Sequence, residues 1–405
     1  MRIETYIRKR LGMTAHWVPE VRGGEGGLEV QVERLGKRHL RCGECGMEVK
    51  RTRGRCPQER RWRDLSVRDK VLWIIYRPYR VACPRCGIRV ERVPWAPRFS
   101  RVTTALAKAV ALLAKKLSWK EVAEHFQLNW KTVAKIIRWV VSEGLKLRQL
   151  QPLHILGIDE VSRKKGHTYF TLFYDLERGG LLWVSEGRTE GAVDLFFAWL
   201  GKRRTRTIQA TICLDMWAPY LASVKRHAPH ALTVFDRFHL VRHLNDAVDK
   251  VRREMVQRLQ GEEKSTIKGT RYLWLKNPWN LTETERLTLS TLLKINMPIV
   301  RAYMLKEAFQ KFWDYFSTGW AEKWLRQWFW WATHSRLKPL RDFAHLLRRH
   351  EAGILAWIKL RISNGALEGM NHKIKLVSRR AYGFRDPYNF VIAIFHGCAD
   401  LPMPL

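Results

Sequence analysis

The sequence predicts a multidomain α+β protein, and three observations carry that prediction. Two Cys-x-x-Cys pairs lie in a β-rich N-terminal stretch. A short module of helical periodicity follows. An alternation that reads βββαβαβ comes next, and it gives way to a long helical block rich in tryptophan. The 405 residues suffice for several domains, each with its own core.

Charge narrows the function. Lys and Arg number 74 against 38 Asp and Glu, a formal net charge of +36. Such an excess points to a polyanionic partner or an anionic surface. No apolar run is long enough to span a bilayer and no signal-peptide core follows Met1, which argues against a membrane partner. Seven cysteines, an odd number, do not suit a secreted disulfide scaffold and fit a reducing, cytoplasmic setting. The charge is uneven: residues 1–100 carry a net +13, 101–150 +7, 151–240 +3, 241–360 +10 and 361–405 +3.

Residues 1–100 form the first expected domain. LEVQVERL (28–35) alternates like a strand, and VLWIIYRPYRVAC (71–83) is β-branched and aromatic enough to read as another. Cys42, Cys45, Cys83 and Cys86 form two Cys-x-x-Cys turns, followed by Gly46 and Gly87. Each turn presents two thiolates, and together they supply the four soft ligands of a structural Zn2+ site in a zinc ribbon. A redox pair would use the same spacing. Cys56 is not expected among the ligands, and Cys213 and Cys398 read as buried apolar residues.

Residues 101–150 change to helical spacing, with Ser118 and Asn129 as N-caps and Glu121 completing a capping box after Ser118. Helix, short turn and helix match helix-turn-helix proportions. The second helix, expected from about Asn129 to Val141, carries Asn129, Trp130, Lys131, Thr132 and Lys135 at the end that meets base edges in this motif. An ordinary three-helix bundle has the same pattern; the net +20 before residue 151 favours DNA binding.

Residues 151–240 supply three strands (153–159, 168–176, 180–187), a helix (189–202), a strand (210–215), a helix (218–227) and a strand (231–236). Three consecutive strands suggest an antiparallel meander, and the later alternation suggests parallel strands in the same sheet. Asp159, Asp215 and Asp236 each end a strand in this reading. Three carboxylates converging at one sheet edge are a candidate metal centre, although each alone is more often a cap or turn residue. Glu160 adjoins Asp159, so residue order alone leaves the ligand between the two open; Asp159 continues the alternation of Ile155 and Gly157.

Residues 241–360 read as an all-α block, and nine of the 19 tryptophans lie between 237 and 360. Trp320, Trp324, Trp328 and Trp331 recur at the spacing of one buried helix face; stacking on an unpaired base is the alternative. In residues 361–405, Glu368, Asn371, Lys375 and Arg379 fall on one face of a helix around 365–380. A carboxylate beside an amide and two cations suits metal ligation next to phosphate binding; a solvated amphipathic helix would show the same spacing.

Taken together, the cysteine module, the helix-turn-helix, GIDE (157–160), CLDMWAPY (213–220), FDRFH (235–239) and NGALEGMNHKIKLVSRRAYG (364–383) resemble a bacterial insertion-sequence DDE transposase of the ISL-three family. The resemblance spans nearly the whole chain. It implies an RNase H-like α/β catalytic core in two parts, 151–240 and 361–405, interrupted by the helical insertion. It implies a catalytic triad of Asp159, Asp215 and Glu368 that holds two Mg2+ (or Mn2+) ions per active site. FDRFH resembles a D-x-x-H signature, which makes Asp236 and His239 supporting residues together with Asn371. His239 could position the scissile phosphate or serve a structural role bonded to Asp236. Lys375, Arg379 and Arg380 are assigned to DNA-backbone contacts.

The resemblance further implies binding of terminal inverted repeats, strand cleavage and strand transfer into target DNA. The partners would be double-stranded DNA and a second protomer or larger assembly. A non-catalytic zinc-ribbon and helix-turn-helix regulator is the alternative, and an RNA-processing nuclease of the same core is a third reading.

Overall fold

The computed structural model describes residues 3–24, 26–36, 40–98, 100–164, 168–213, 218–235, 237–295, 297–361 and 365–404. The chain divides into two compact units. The first holds Met1–Arg148, Val377–Gly397 and Leu401–Leu405, and the second Gln149–Leu376 and Cys398–Asp400.

In the first unit, helix α1 (Ile3–Arg10) precedes strands β1 (His16–Gly24), β2 (Gly27–Arg34), β3 (Thr52–Arg55), β4 (Arg60–Val67), β5 (Lys70–Tyr76), β6 (Tyr79–Cys83) and β7 (Gly87–Val90). They form a four-stranded sheet in the order β1-β2-β5-β4 and a three-stranded sheet β3-β6-β7. The expected strand 71–83 is therefore two strands in different sheets. Pro78 has no N–H to give a ladder and disfavours helical backbone before it, so the chain breaks at Arg77–Pro78 and changes sheet. Gly27 lets β2 lie against β5: its φ is +112°, and a Cβ there would sit 2.3 Å from the Val71 carbonyl oxygen.

The larger sheet buries Val18, Val30, Trp62, Ile74, Tyr76 and Trp95. Glu91 joins the two sheets through polar contacts. It is ion-paired with Arg34 of β2 at 2.8 Å, and it accepts the Tyr76 hydroxyl at 2.6 Å and the Tyr79 N–H at 2.7 Å. A buried carboxylate so supplied with donors is tolerated where a lone one would not be.

Three helices complete this part: α2 (Thr104–Ala114), α3 (Trp119–His125) and α4 (Trp130–Leu147). Ser118 and Glu121 form a capping box on α3, and Asn129 caps α4 through its side chain, as the sequence predicted. α4 runs past Val141 because Val140, Val141 and Gly144 continue its buried face. The strands and the helices are tied within this unit: Arg63 of β4 pairs through its backbone with Arg101 and Thr103, and Thr103 donates its hydroxyl to Asp64.

The second unit holds β8 (Ile155–Lys164), β9 (Thr168–Asp175), β10 (Gly180–Glu186), α5 (Glu190–Leu200), α6 (Lys202–Thr205), β11 (Ala210–Cys213), α7 (Ala218–His227) and β12 (Leu232–Phe235). The sheet order is β10-β9-β8-β11-β12. The first three strands are antiparallel, while β11 runs parallel to both β8 and β12, which is the meander and parallel half expected. One face, with Leu156 and Ile158, packs under α5 and α7 with Phe173, Phe196, Tyr220 and Val224.

Helices α8 (Arg237–Arg258), α9 (Gly261–Ile267), α10 (Arg271–Leu275), α11 (Glu283–Leu293), α12 (Pro298–Gln310), α13 (Thr318–His334), α14 (Lys338–Arg349) and α15 (Glu351–Leu360) follow β12. Their core is continuous with Phe235 of β12 and is filled by Trp274, Phe309, Trp313 and Trp328. Lys306 is fully buried there. Its ammonium donates to the carbonyls of Trp274 at 2.9 Å and Lys276 at 3.1 Å and pairs with Glu307, so it satisfies the C-terminal end of α10.

The expected tryptophan face of α13 is only partly buried. The buried stripe runs through Ala321, Leu325, Trp328, Phe329 and Ala332. Trp324 flanks it half-buried, while Trp320 and Trp331 are exposed. Steps of four residues overshoot a 3.6-residue turn, so the Trp row drifts around the helix and meets the stripe only at Trp328.

The chain ends in α16 (Gly365–Arg380) and α17 (Pro387–Cys398). Residues 377–397 pack within the first unit rather than with the sheet. Arg138 of α4 donates twice to Asn389, at 3.1 and 2.7 Å, and its guanidinium lies over the Tyr388 ring. Arg380 donates to the Lys115 carbonyl at 3.3 Å, and Trp119 meets Phe384 edge-on.

Candidate functional site

Asp159 does not end its strand. β8 continues to Lys164, paired with β9 from Asp159↔Leu172 to Lys164↔Thr168. The described pairing of β11 with β8 runs to Cys213↔Ile158, and with β12 to Cys213↔Phe235, and residues 214–217 lie outside the described ones. Asp159 thus lies one residue beyond that register, on a strand still held by β9. Asp215 and Asp236 lie outside the described residues.

Successive side chains on a strand face opposite ways. Asp159 shares its face with Ile155 and Gly157, opposite the face of Leu156 and Ile158 that α5 and α7 cover. Its carboxylate is buried. One oxygen accepts the Glu160 N–H at 2.6 Å, and the other accepts the side-chain amide of Asn371 from α16. The Asn371 carbonyl oxygen in turn accepts the Tyr174 hydroxyl at 3.4 Å. Burial, and then the charge of Asp159, push the Tyr174 phenol well above its usual value, so it stays neutral and keeps donating.

Glu160 is engaged elsewhere, in an ion pair with Arg188 at 2.5 Å. Tyr220 hydrogen-bonds Thr171 at 2.7 Å, and Thr171 donates to the Gly187 carbonyl, so the Tyr220 hydroxyl is the donor of that pair. The structure therefore separates the two adjacent acids. Asp159 meets the amide of α16, and Glu160 meets a guanidinium.

Glu368 lies in α16, one turn before Asn371. Carboxylate oxygens are hard donors of the kind that Mg2+ or Mn2+ takes. Lys375 and Arg379 are exposed further along α16, and Arg380 is half-buried. His239, in the first turn of α8, is half-buried with its ring edge-on to Phe238; the Asp236 expected to bond it is outside the described residues. Tyr174 and Arg188 were not singled out from the sequence, since one reads as another aromatic in a strand and the other as another surface cation.

The four cysteines converge as expected. The sulfurs of Cys42, Cys45, Cys83 and Cys86 all lie within 4.8 Å of one another, and among the described residues they are the group that could hold a metal ion. Sulfurs around one Zn2+ at about 2.3 Å would be roughly 3.8 Å apart, and Cys45 and Cys83 are 3.6 Å apart. Gly46 and Gly87 both take left-handed backbone, with φ of +74° and +72°, where each Cys-x-x-Cys turn closes. Burial raises the Cys83 thiol, but the N–H groups of Arg85 and Cys86 with the Cys45 and Cys42 thiols bring it below its usual value, while burial and the same neighbouring thiols push Cys86 up. The four cysteines could therefore bind zinc. Cys56 and Cys398 are buried and lie outside this group.

At the N-terminal end of α4, Trp130, Lys131 and Lys135 are exposed and Thr132 is half-buried. The Asn129 side chain accepts the Lys131 N–H at 2.9 Å as the helix cap. Among the described residues no helix is long and apolar enough to cross a membrane.

Comparison with known proteins completes the picture. A family model described as "Transposase" matches residues 156–394, and one described as the helix-turn-helix domain of transposase family ISL3 matches residues 91–140. The transposase for insertion sequence element IS1001 of Bordetella parapertussis is 31% identical over 362 residues, 87% of this chain and 87% of that protein. The transposase for insertion sequence element IS1557 of Mycobacterium tuberculosis is 32% identical over 374 residues, 86% of this chain and 83% of that protein.

Proposed function

The chain belongs to the ISL3 family of DDE transposases, and from that premise we propose that it binds the terminal inverted repeats of its own insertion sequence, cleaves the strands there and joins them to target DNA. The observation that carries this reading is the hydrogen bond from Asn371 to Asp159. It ties the helix that contains Glu368 to the strand that contains Asp159, as a triad assembled from distant segments requires. The sheet order, three antiparallel strands beside two parallel ones, supports an RNase H-like core, and α8–α15 would be its insertion.

Asp159, Asp215 and Glu368 would hold two Mg2+ or Mn2+ ions. When bound, such ions activate the attacking oxygen and stabilise the leaving one. The protein's own part is placement. Asn371 fixes one oxygen of Asp159 and leaves the carboxylate anionic, and the neutral Tyr174 phenol fixes Asn371. Arg188 keeps Glu160 occupied, which supports Asp159 as the ligand of the adjacent pair. Lys375, Arg379 and Arg380 neutralise backbone phosphates, and Asp236 and His239 support the site.

End recognition falls to Trp130, Lys131, Thr132 and Lys135 of α4, with Asn129 shaping its start. Cys42, Cys45, Cys83 and Cys86 hold one structural Zn2+. Bringing two ends together calls for a homodimer or larger assembly on DNA. The test is Mg2+- or Mn2+-dependent nicking of duplexes that carry the element ends. The wild-type chain nicks them and Asp159→Asn does not; equal cleavage by Asp159→Asn removes that residue from the triad.

A further inference from the structure

Six arginines line one cavity of about 750 Å3 in the first unit, and its lining includes no residue of α4. They are Arg60, Arg80, Arg89, Arg92, Arg98 and Arg101. The cavity lies between the two sheets: Arg60 comes from β4, Arg80 from β6 and Arg89 from β7, and the rest follow β7 in the chain. Two carboxylates share the lining. Glu91 is taken up by Arg34, Tyr76 and Tyr79, and Glu44 pairs with Arg89 and Arg98. Among the described residues, Arg60, Arg80, Arg92 and Arg101 have no carboxylate partner. Between the guanidinium groups the walls are apolar, formed by Pro57, Pro78, Ile88 and Val93.

We propose that this groove holds the sugar–phosphate backbone of the DNA end, as a sequence-independent clamp beside the helix-turn-helix. The inference rests on the transposase reading and adds a site to it. Guanidinium forks match phosphate oxygens in pairs, and four without a carboxylate partner in one groove leave that capacity unused. The apolar walls suit the deoxyribose between successive phosphates. An acidic protein segment is the other polyanion that could fit. A second copy of this chain offers none, since its longest uninterrupted acidic runs are two residues, such as Glu262-Glu263. Contacts of this kind position the duplex and carry no base information.

The experiment uses the full-length chain and the double variant Arg60→Gln/Arg80→Gln. Binding is measured by fluorescence anisotropy across a salt series, on a duplex carrying the terminal repeat and on an unrelated duplex of equal length. The expected result is an equal fold-loss of affinity on both duplexes, with the log–log salt slope shallower by about 1.8, two phosphate contacts at about 0.9 each. The Arg60→Lys/Arg80→Lys variant keeps the charge and retains most of the slope, which separates a lost contact from a misfolded unit. An unchanged slope and affinity in the glutamine variant overturns the proposal, as does a loss confined to the terminal-repeat duplex. Wild-type chain that binds neither duplex overturns the proposed end binding itself, and this outcome is distinct from the other two.

Discussion

Asn371 donates its side-chain amide to the Asp159 carboxylate across 212 residues of sequence, and so fixes a helix near the C-terminus to a strand in mid-chain. If Asp159 is a metal ligand, Asn371 orients it without touching the reaction. Asn371→Ala should then lower Mg2+-dependent cleavage of end DNA by about 10- to 100-fold, the usual effect of losing such a support. Raising the Mg2+ or Mn2+ concentration should recover part of the rate. Glu368→Gln should abolish cleavage at any metal concentration, while end binding by either variant stays within about twofold of wild type.

The cysteine cluster predicts a metal content. Purified chain should carry about one zinc, read by elemental analysis. Cys45→Ser and Cys83→Ser should each release it and lower the unfolding temperature of the first unit. Full zinc occupancy in both variants would exclude these four sulfurs as the site.

His16 predicts a pH dependence. Arg34 has only donors to offer, so the His16 Nε2 that it meets at 3.2 Å must accept and the ring is neutral. Burial, and then the Arg34 charge, lower its pKa from 6.5 to about 3. The contribution to stability is fully present above pH 6.5 and is lost as the pH falls towards 3, because only the unfolded chain takes up the proton in that window. Urea unfolding should show about 2 kcal/mol less stability at pH 5 than at pH 7 from this residue. His396, lowered to about 4 by burial and by Lys115, adds in the same direction. The His16→Gln variant should show a flatter profile.

The tryptophans of α13 should differ sharply in their effect on stability. Trp328 is fully buried and donates its indole N–H to the Leu305 carbonyl at 2.9 Å, whereas Trp320 is 63% exposed. Trp328→Ala should cost about 3–5 kcal/mol in denaturant unfolding. Trp320→Ala should stay within about 0.5 kcal/mol. Comparable losses at both positions would mean that the exposed ring packs in solution.

Much of this architecture was legible in the residues. Caps at Ser118 and Asn129, the cysteine pairs and the order of strands in the second unit needed only local chemistry. The errors arose where tertiary pairing overruled local pattern. β8 outlasts its apolar alternation because β9 keeps pairing with Glu160, Ser162 and Lys164, whose polarity suggested an end. The run 71–83 hid a change of sheet, since one proline weighs little against so many β-formers. In α13 the density of tryptophan masked the smaller residues, Ala321 and Ala332, that mark the buried stripe. Tyr174 gave no signal, because nothing local separates a phenol that supports Asn371 from its apolar neighbours in β9. The contrast between Asp159, which meets Asn371, and Glu160, which meets Arg188, was not legible either, because both partners lie outside the local pattern.

The bonds from Arg138 to Asn389 span 251 residues. During synthesis at roughly 5–20 residues per second, α4 would leave the ribosome some 10–50 s before its partner exists. Helix α4 is thus translated early but braced late, and a prematurely terminated chain would carry that helix without Tyr388 and Asn389 beside it. If α4 reads end DNA as proposed, fragments that lack Asn389 should therefore compete poorly for it.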